Sequence, residues 1–256
     1  MSDDIAACAE LVHRGDPDRF AAIMAAQPAA RDILFPLFAF NLEVARAPWV
    51  TQESMIAEMR LQWWRDALDE IGQGGQVRRH EVVTPLADVL DAPASVLLDD
   101  LVLARRWDIY RDPFEDDAAF DDFIDKTSGN LLWVAVRALG QGDENVVRDF
   151  AYGVGISNWL RAIPELESHQ RVPLVDGRPE AVAELAAKAL DRLRNARKGR
   201  AKVDKSAGQA LLCGWQAETI LKQAVKSPEL VKEGALGASD FAQKLGLAGR
   251  TLTGRW

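Results

Sequence analysis

Apolar residues recur along nearly the whole chain at the three- and four-residue spacing of an α-helix, and no stretch alternates at the period of two that marks a strand. No segment repeats another. In "GDPDRFAAIMAAQ", Asp16 is placed to cap a helix, with Pro17 at its first position and Asp18 in its first turn. Residues 29–46 form the next helix. Its apolar positions, Ile33, Leu34, Leu37, Phe38, Phe40, Leu42 and Val44, surround the axis, which predicts a central helix, with Pro36 kinking its early part. Thr51 is expected to cap a third helix. Met55, Met59 and Trp63 repeat along it at four-residue spacing, and Trp64, Leu68 and Ile71 extend the buried face. "GQGGQ" at 72–76 ends it.

Helices are predicted over 82–91, 94–111 and 117–139, the last two separated by the turn "RDPFEDD". A long helix over about 143–163 carries the stripe Val147, Phe150, Ala151, Val154, Ile156 or Ser157, Leu160 and Ile163. Gly153 and Gly155 interrupt it at a cost of roughly 1 kcal/mol each against alanine, as glycines do where another helix or a ligand comes close; packing is the simpler reason. Its end, "ISNWLRAIPELESHQRVPL", runs into Pro164. Helices over 179–198, 204–226 and 237–248 complete an all-α chain of about ten helices. No linker divides it, so residues 1–256 are read as one domain.

The composition, with 48% hydrophobic and 27% charged residues in 256, supports a full core. A net charge of −8 argues against nonspecific nucleic-acid binding. One basic run stands out: Arg192, Arg194, Arg197, Lys198, Arg200, Lys202 and Lys205 fall within fourteen residues, as a solvated helix face or a contact for acidic lipid or an acidic partner. The two cysteines, Cys8 and Cys213, are too few for a zinc site or disulfide framework, which fits a reducing compartment. The start, "MSDDIAACAE", has no apolar signal core, and the longest apolar stretch, "ILFPLFAF" at 33–40, is far short of the roughly 20 residues of a membrane span. A cytoplasmic protein is expected, with peripheral membrane contact open. The last residues, "TLTGRW", form an aromatic tail that could dock on a partner or on the domain itself.

Familiar catalytic patterns are missing. His13, His80 and His169 are scattered, and the sequence has no phosphate loop and no nucleophile elbow. Carboxylates cluster at Asp99/Asp100, Glu115/Asp116/Asp117 and Asp121/Asp122/Asp125, mostly where helices begin and acids favour the dipole. Asp121 and Asp125 share a helix face and could hold a hard cation.

Several stretches, in order, resemble the squalene/phytoene synthase family: "FPLFAFNLEVAR", "LQWWRDAL" with Trp64 and Arg65, "LLDDLVLARRWDIYRDPF", "FIDKTSGNLLWVAVRALG" with Thr127, Ser128 and Gly129 ahead of Leu139-Gly140, and "YGVGISNWLRAIPELESHQRVPL". The resemblance covers about residues 17–175. It implies an all-α isoprenoid-synthase fold with a central cavity, in which two prenyl diphosphates are joined head to head. The departing diphosphate is neutralised by Mg²⁺ on two facing aspartate-rich helices. In this alignment the first acidic motif falls on Ala45, Arg46 and Trp49, and the second on Ala162 and Leu166, while Asn158, Arg161 and Glu165 match its flanks. "AFNLEVA" and "LRAIP" are similar to a non-catalytic branch of the family whose members assist assembly of mitochondrial respiratory complex I.

These likenesses imply a binding or respiratory-complex assembly module with no catalytic or metal-ligating residues and no cofactor. Its candidate cavity or phosphate residues are Phe40, Asn41, Glu43, Arg46, Asn158, Arg161, Glu165 and Arg171. Arginines at a former metal site could take a prenyl or lipid phosphate without Mg²⁺; alternatively, Arg46 and Arg161 pair with Glu43 and Glu165 and stabilise the core. The competing reading is a Mg²⁺-dependent head-to-head prenyltransferase with a shifted metal site built from Glu43, Glu165 and Asp108. A plain structural protein is the third.

Overall fold

The computed structural model of the chain describes residues 2–51 and 53–256. The first helix, α1 (Asp3–Gly15), has no counterpart in the sequence reading. The Ser2 hydroxyl accepts from the Ile5 N–H at 3.3 Å, and Ile5, Cys8, Ala9 and Val12 form its buried stripe. Asp16 caps α2 (Pro17–Ala25) by accepting from the Arg19 N–H at 3.0 Å, with Pro17 at the first position as expected. Helix α3 (Pro28–Arg46) is central: every residue from Leu34 to Asn41 is buried, and Pro36 lies within it.

Helix α4 (Ser54–Gly72) corrects two expectations. Thr51 does not cap it; its hydroxyl instead accepts from the Glu53 N–H at 3.1 Å, two residues ahead of the cap position. The core face is Ala57, Leu61, Trp64, Ala67, Leu68 and Ile71. Met55 and Met59 point away from it, 74% and 66% exposed, because Ala57 and Leu61 already fill the inward stripe of the first two turns.

Short α5 (Val83–Ala87) leads to α6 (Ala92–Ala104), capped by Asp91 and followed by a tighter 3₁₀ turn at Arg105–Asp108. The helix expected over 94–111 therefore ends early. Helix α7 (Asp117–Ile124), a π turn at Asp125–Gly129 and α8 (Asn130–Leu139) fill the span predicted as one helix. The cation site imagined on α7 is dispersed: Asp121 accepts from Tyr152 and Lys188, and Asp125 from Arg148.

Helix α9 (Glu144–Ser168) passes through Pro164 and stops only after Ser168, five residues beyond the end expected from that proline. Its two glycines are packing positions. A Cβ on Gly153 would lie 2.7 Å from Leu193 Cβ, on α10 (Pro179–Lys198), and one on Gly155 would lie 2.8 Å from Ile124 Cγ2. A 3₁₀ segment (Ala207–Gly214), α11 (Ala217–Lys226), short α12 (Glu229–Lys232) and α13 (Asp240–Thr253) complete the chain, so the helix expected over 204–226 is split at residues 215–216. Of the two dockings open to the aromatic tail, Trp256 takes the one on the domain itself. It is 5% exposed and meets Phe150 edge-on, ring centroids 4.8 Å apart.

Among the described residues there is no strand beyond one isolated pairing of Gly142 with Val203. One continuous hydrophobic cluster runs from Ile5 to Trp256, as an all-α fold of this length requires. No described helix is long and apolar enough to cross a membrane.

Candidate functional site

A cavity of about 520 Å³ opens between α3, the Arg105–Asp108 turn, the π turn and α9. Each wall follows from a local feature. The π turn widens the α7–α8 helix so that Thr127 and Ser128 line the cavity. Their hydroxyls are satisfied by the Phe123 and Ala151 carbonyls at 2.6 and 2.8 Å. Gly155 lets α9 approach this turn closely, since any side chain there would strike Ser128. The base is aromatic: Phe123 and Trp159 lie 5.2 Å apart, backed by Trp107 stacked on Phe114 at 4.5 Å. The Trp159 indole N–H donates to the Pro173 carbonyl at 2.9 Å, holding the segment after α9 against the cavity.

The polar wall is unevenly charged. Arg105 Nη1 donates to Asp108 Oδ2 at 3.2 Å, while Arg105 Nε is buried with no protein acceptor among the described residues. Burial raises the Asp108 carboxyl pKa, against the opposing pull of Arg105 and Arg171. Arg19 reaches the cavity from α2, its guanidinium carbon 5.3 Å from the Phe38 ring centre. Trp49 and His169 pair at 5.1 Å and also line the cavity.

Of the residues singled out in the sequence, Asn41, Asn158 and Glu165 come together on this wall. Phe40 is fully buried behind it, edge-on to Trp64 with centroids 5.4 Å apart. Glu43 and Arg46 pair with each other at 3.5 Å, away from the lining. Arg161 pairs with Asp18 at 3.0 Å, not with Glu165, and lines an adjoining cavity of about 470 Å³ that shares Arg19, Asn158, Ala162 and Glu165 with the first. Arg171 donates to the Tyr110 and Asp108 carbonyls and covers Trp49 at 5.3 Å. The arginines lining the first cavity are thus Arg19 and Arg105, which the sequence reading did not select. They lie 86 positions apart, and no spacing relates them.

Ala45, Trp49, Ala162 and Leu166 all line this same cavity, Ala45 and Trp49 from the end of α3 and the turn after it, Ala162 and Leu166 from α9. These are four of the five positions onto which the alignment placed the family's acidic motifs; the fifth, Arg46, lies off the lining and pairs with Glu43. Among the described residues, no group of three or more His, Cys, Asp and Glu could hold a metal ion.

Comparison with known proteins agrees with this architecture. Over 177 residues the chain is 27% identical to the Drosophila melanogaster homolog of NADH dehydrogenase (ubiquinone) complex I, assembly factor 6, covering 66% of this chain and 53% of that protein. The Homo sapiens assembly factor 6 is 24% identical over 182 residues, covering 64% and 51%. The chain spans about half the length of the curated relatives it matches. Among solved structures, a dehydrosqualene synthase in complex with ligand superposes with a TM-score of 0.74 at 12% identity, covering 98% of this chain and 95% of that one. A squalene synthase from Alicyclobacillus acidocaldarius gives 0.69 at 15% identity, covering 90% and 94%. These two likenesses establish the all-α isoprenoid-synthase fold. The squalene/phytoene synthase family model matches residues 12–175, more than half of the chain, and the chain belongs to that family.

Proposed function

We propose that this protein is a non-catalytic member of the squalene/phytoene synthase family that acts as an assembly factor for a respiratory complex. One observation carries the reading: Ala45, Trp49, Ala162 and Leu166 present carbon to the cavity where the family's chemistry requires carboxylates. A Mg²⁺–diphosphate assembly needs several hard oxygen ligands converging on the leaving group. Of the carboxylates at this wall, Asp108 is engaged by Arg105 and its pKa is raised by burial, which leaves Glu165. That donor set does not fit the metal cluster. The matches to complex I assembly factor 6 from two animals support the same reading.

The retained cavity suits a prenyl or lipid phosphate: an apolar tail against Phe123 and Trp159, with the phosphate at Arg105 and Arg19 through charge-assisted hydrogen bonds and no metal. A surface beside the cavity mouth suits a respiratory-complex subunit. Trp49 stacks under Arg171, Arg171 bonds the Tyr110 carbonyl, and the Tyr110 hydroxyl donates to Glu58 at 2.8 Å. Glu58 sits on α4 amid exposed Met55, Ile56 and Met59, so this polar link leads from the mouth to an exposed apolar group on that helix. We place the protein in the cytoplasm, at the membrane that holds the complex.

Purified protein incubated with farnesyl or geranylgeranyl diphosphate and Mg²⁺ is expected to release no pyrophosphate while a family synthase run in parallel does. Deleting the gene in its host is expected to deplete the assembled NADH dehydrogenase complex on native gels. Prenyl transfer by the purified chain, or normal complex levels in the deletion strain, would overturn the proposal.

A further inference from the structure

Four cations, all from beyond the residues matched by the family, meet at a further cavity. Arg200, Lys205, Arg250 and Arg255 line a depression of about 760 Å³ between the start of the Ala207–Gly214 segment and the end of α13. None of the four side chains makes a hydrogen bond or an ion pair among the described residues. In a chain with 39 acids against 31 lysines and arginines, these four cations gather at one cavity against the overall negative charge. The one acid in the lining, Asp204, accepts from the Gln141 N–H at 3.0 Å.

The ground beneath adds to the positive charge. Arg197 pairs with Glu218, donates from Nε to the Trp256 main-chain oxygen at 3.0 Å, and leaves Nη2 buried with no acceptor among the described residues. Burial, reinforced by the neighbouring charge of Arg250, brings the Arg197 pKa down to about 10, and burial also lowers that of Arg250. Glu218 is the carboxylate that opposes both, and it is shared with Lys222 at 2.7 Å. Such a cluster repels itself unless an anion enters. The rest of the wall is mixed: Gln27, Gln209, Thr251 and Thr253 are polar, while Val203, Leu212 and the Trp256 ring supply an apolar part, with Gly208 leaving room for the indole. The volume lies within the range of small-molecule sites.

We propose that this cavity binds an organic phosphate, its phosphate oxygens held by Arg200, Lys205, Arg250 and Arg255 and its organic part against Trp256. Arginine forks match phosphate geometry, and the lysine supplies a point charge. This gives a role to two parts of the sequence that the first cavity does not use: the end of the basic run and the terminal "GRW". The phosphate could belong to a soluble ester or to the headgroup of an anionic lipid.

The test is titration calorimetry of the full chain with pyrophosphate and with glycerol phosphate, at ionic strength matched with chloride, alongside flotation with vesicles of phosphatidic acid in phosphatidylcholine. The variant is Lys205→Gln/Arg255→Gln; both positions are exposed, so the fold is preserved. Arg14→Gln, on α1 and outside the cavity lining, is the control for general charge. Binding that weakens at least tenfold in the double variant but not in the control supports the site. If that holds for the soluble probes, the ligand is a free phosphate ester; if it holds for vesicles alone, it is a lipid headgroup. No binding of any probe, or equal weakening in the double variant and Arg14→Gln, would overturn the proposal.

Discussion

Arg105 holds Asp108 from the side of the first cavity, Nη1 to Oδ2 at 3.2 Å, over a carboxyl only 2% exposed. Burial raises this carboxyl's pKa and Arg105 opposes the rise. Removing Arg105 therefore leaves a charge stranded in a poorly solvated place. Arg105→Ala is expected to cost about 3 kcal/mol at neutral pH. A carboxyl whose folded pKa lies above its unfolded value favours folding at low pH and loses that contribution as the pH rises through the window between the two. The deficit of Arg105→Ala should thus shrink as the solution is acidified toward the ordinary aspartate range, where Asp108 is protonated. Urea unfolding of both proteins at neutral and acidic pH measures this; a deficit that grows on acidification would contradict it.

The contact of α9 with α10 rests on a missing side chain. A Cβ at position 153 would sit 2.7 Å from Leu193 Cβ and 3.2 Å from the Ala189 carbonyl oxygen, so the helices must part. Gly153→Ala is expected to destabilise the protein by about 1–3 kcal/mol despite alanine's higher helix propensity. Gly177→Ala, where a Cβ meets nothing within 4 Å, should change stability by less than about 0.5 kcal/mol. Chemical denaturation of the two variants separates packing from propensity.

Both thiols are predicted to be inert. Burial pushes Cys8 and Cys213 up to about 12, so little thiolate exists near neutrality. A chromogenic disulfide reagent at mildly alkaline pH should titrate neither in the native protein and both in denaturant. A fast native thiol would show that one of these sites opens.

Met55 and Met59 offer a test of the exposed α4 face. Met55→Lys/Met59→Lys is expected to shift stability by less than about 0.5 kcal/mol, as surface changes do. Were these methionines in a core, truncation alone would cost roughly 2–5 kcal/mol each. The same double variant should lose co-purification with respiratory-complex subunits, since it replaces the apolar stripe with charge. Pull-down from the native host, run beside urea unfolding, reads both effects.

Helix identity was legible wherever one helix's own residues settle it. Asp16-Pro17 marked the start of α2, and the limits of α10 at 179 and 198 followed from its periodicity. Helix α1 was passed over although Ile5, Cys8, Ala9 and Val12 stand at helical spacing on its buried face. Pro164 misled because a proline's missing N–H is a local fact, whereas the continuation of α9 to Ser168 is supported by packing: Ile163 and Leu166 on either side of the proline are both buried. At the first cavity, Asn41, Asn158 and Glu165 were legible from the resemblance because they stand at or beside the two acidic-motif positions; Arg105 lies in another resembling stretch and Arg19 on a different helix, and only packing brings them to the same wall.

The sequence by itself determined the helical class, the limits of α3 and α10, the family, and the residues standing where that family's acidic motifs would fall. All of these depend on short-range periodicity or on the order of residues along the chain. Only the tertiary structure decided that the Met55–Met59 stripe faces outward, that Trp256 is buried, and that Arg200, Lys205, Arg250 and Arg255 meet at one cavity. A 3.6-residue period specifies which side chains share a helix face. Which face is covered, and which distant charges become neighbours, is settled by how the helices pack, and that depends on every other helix in the core.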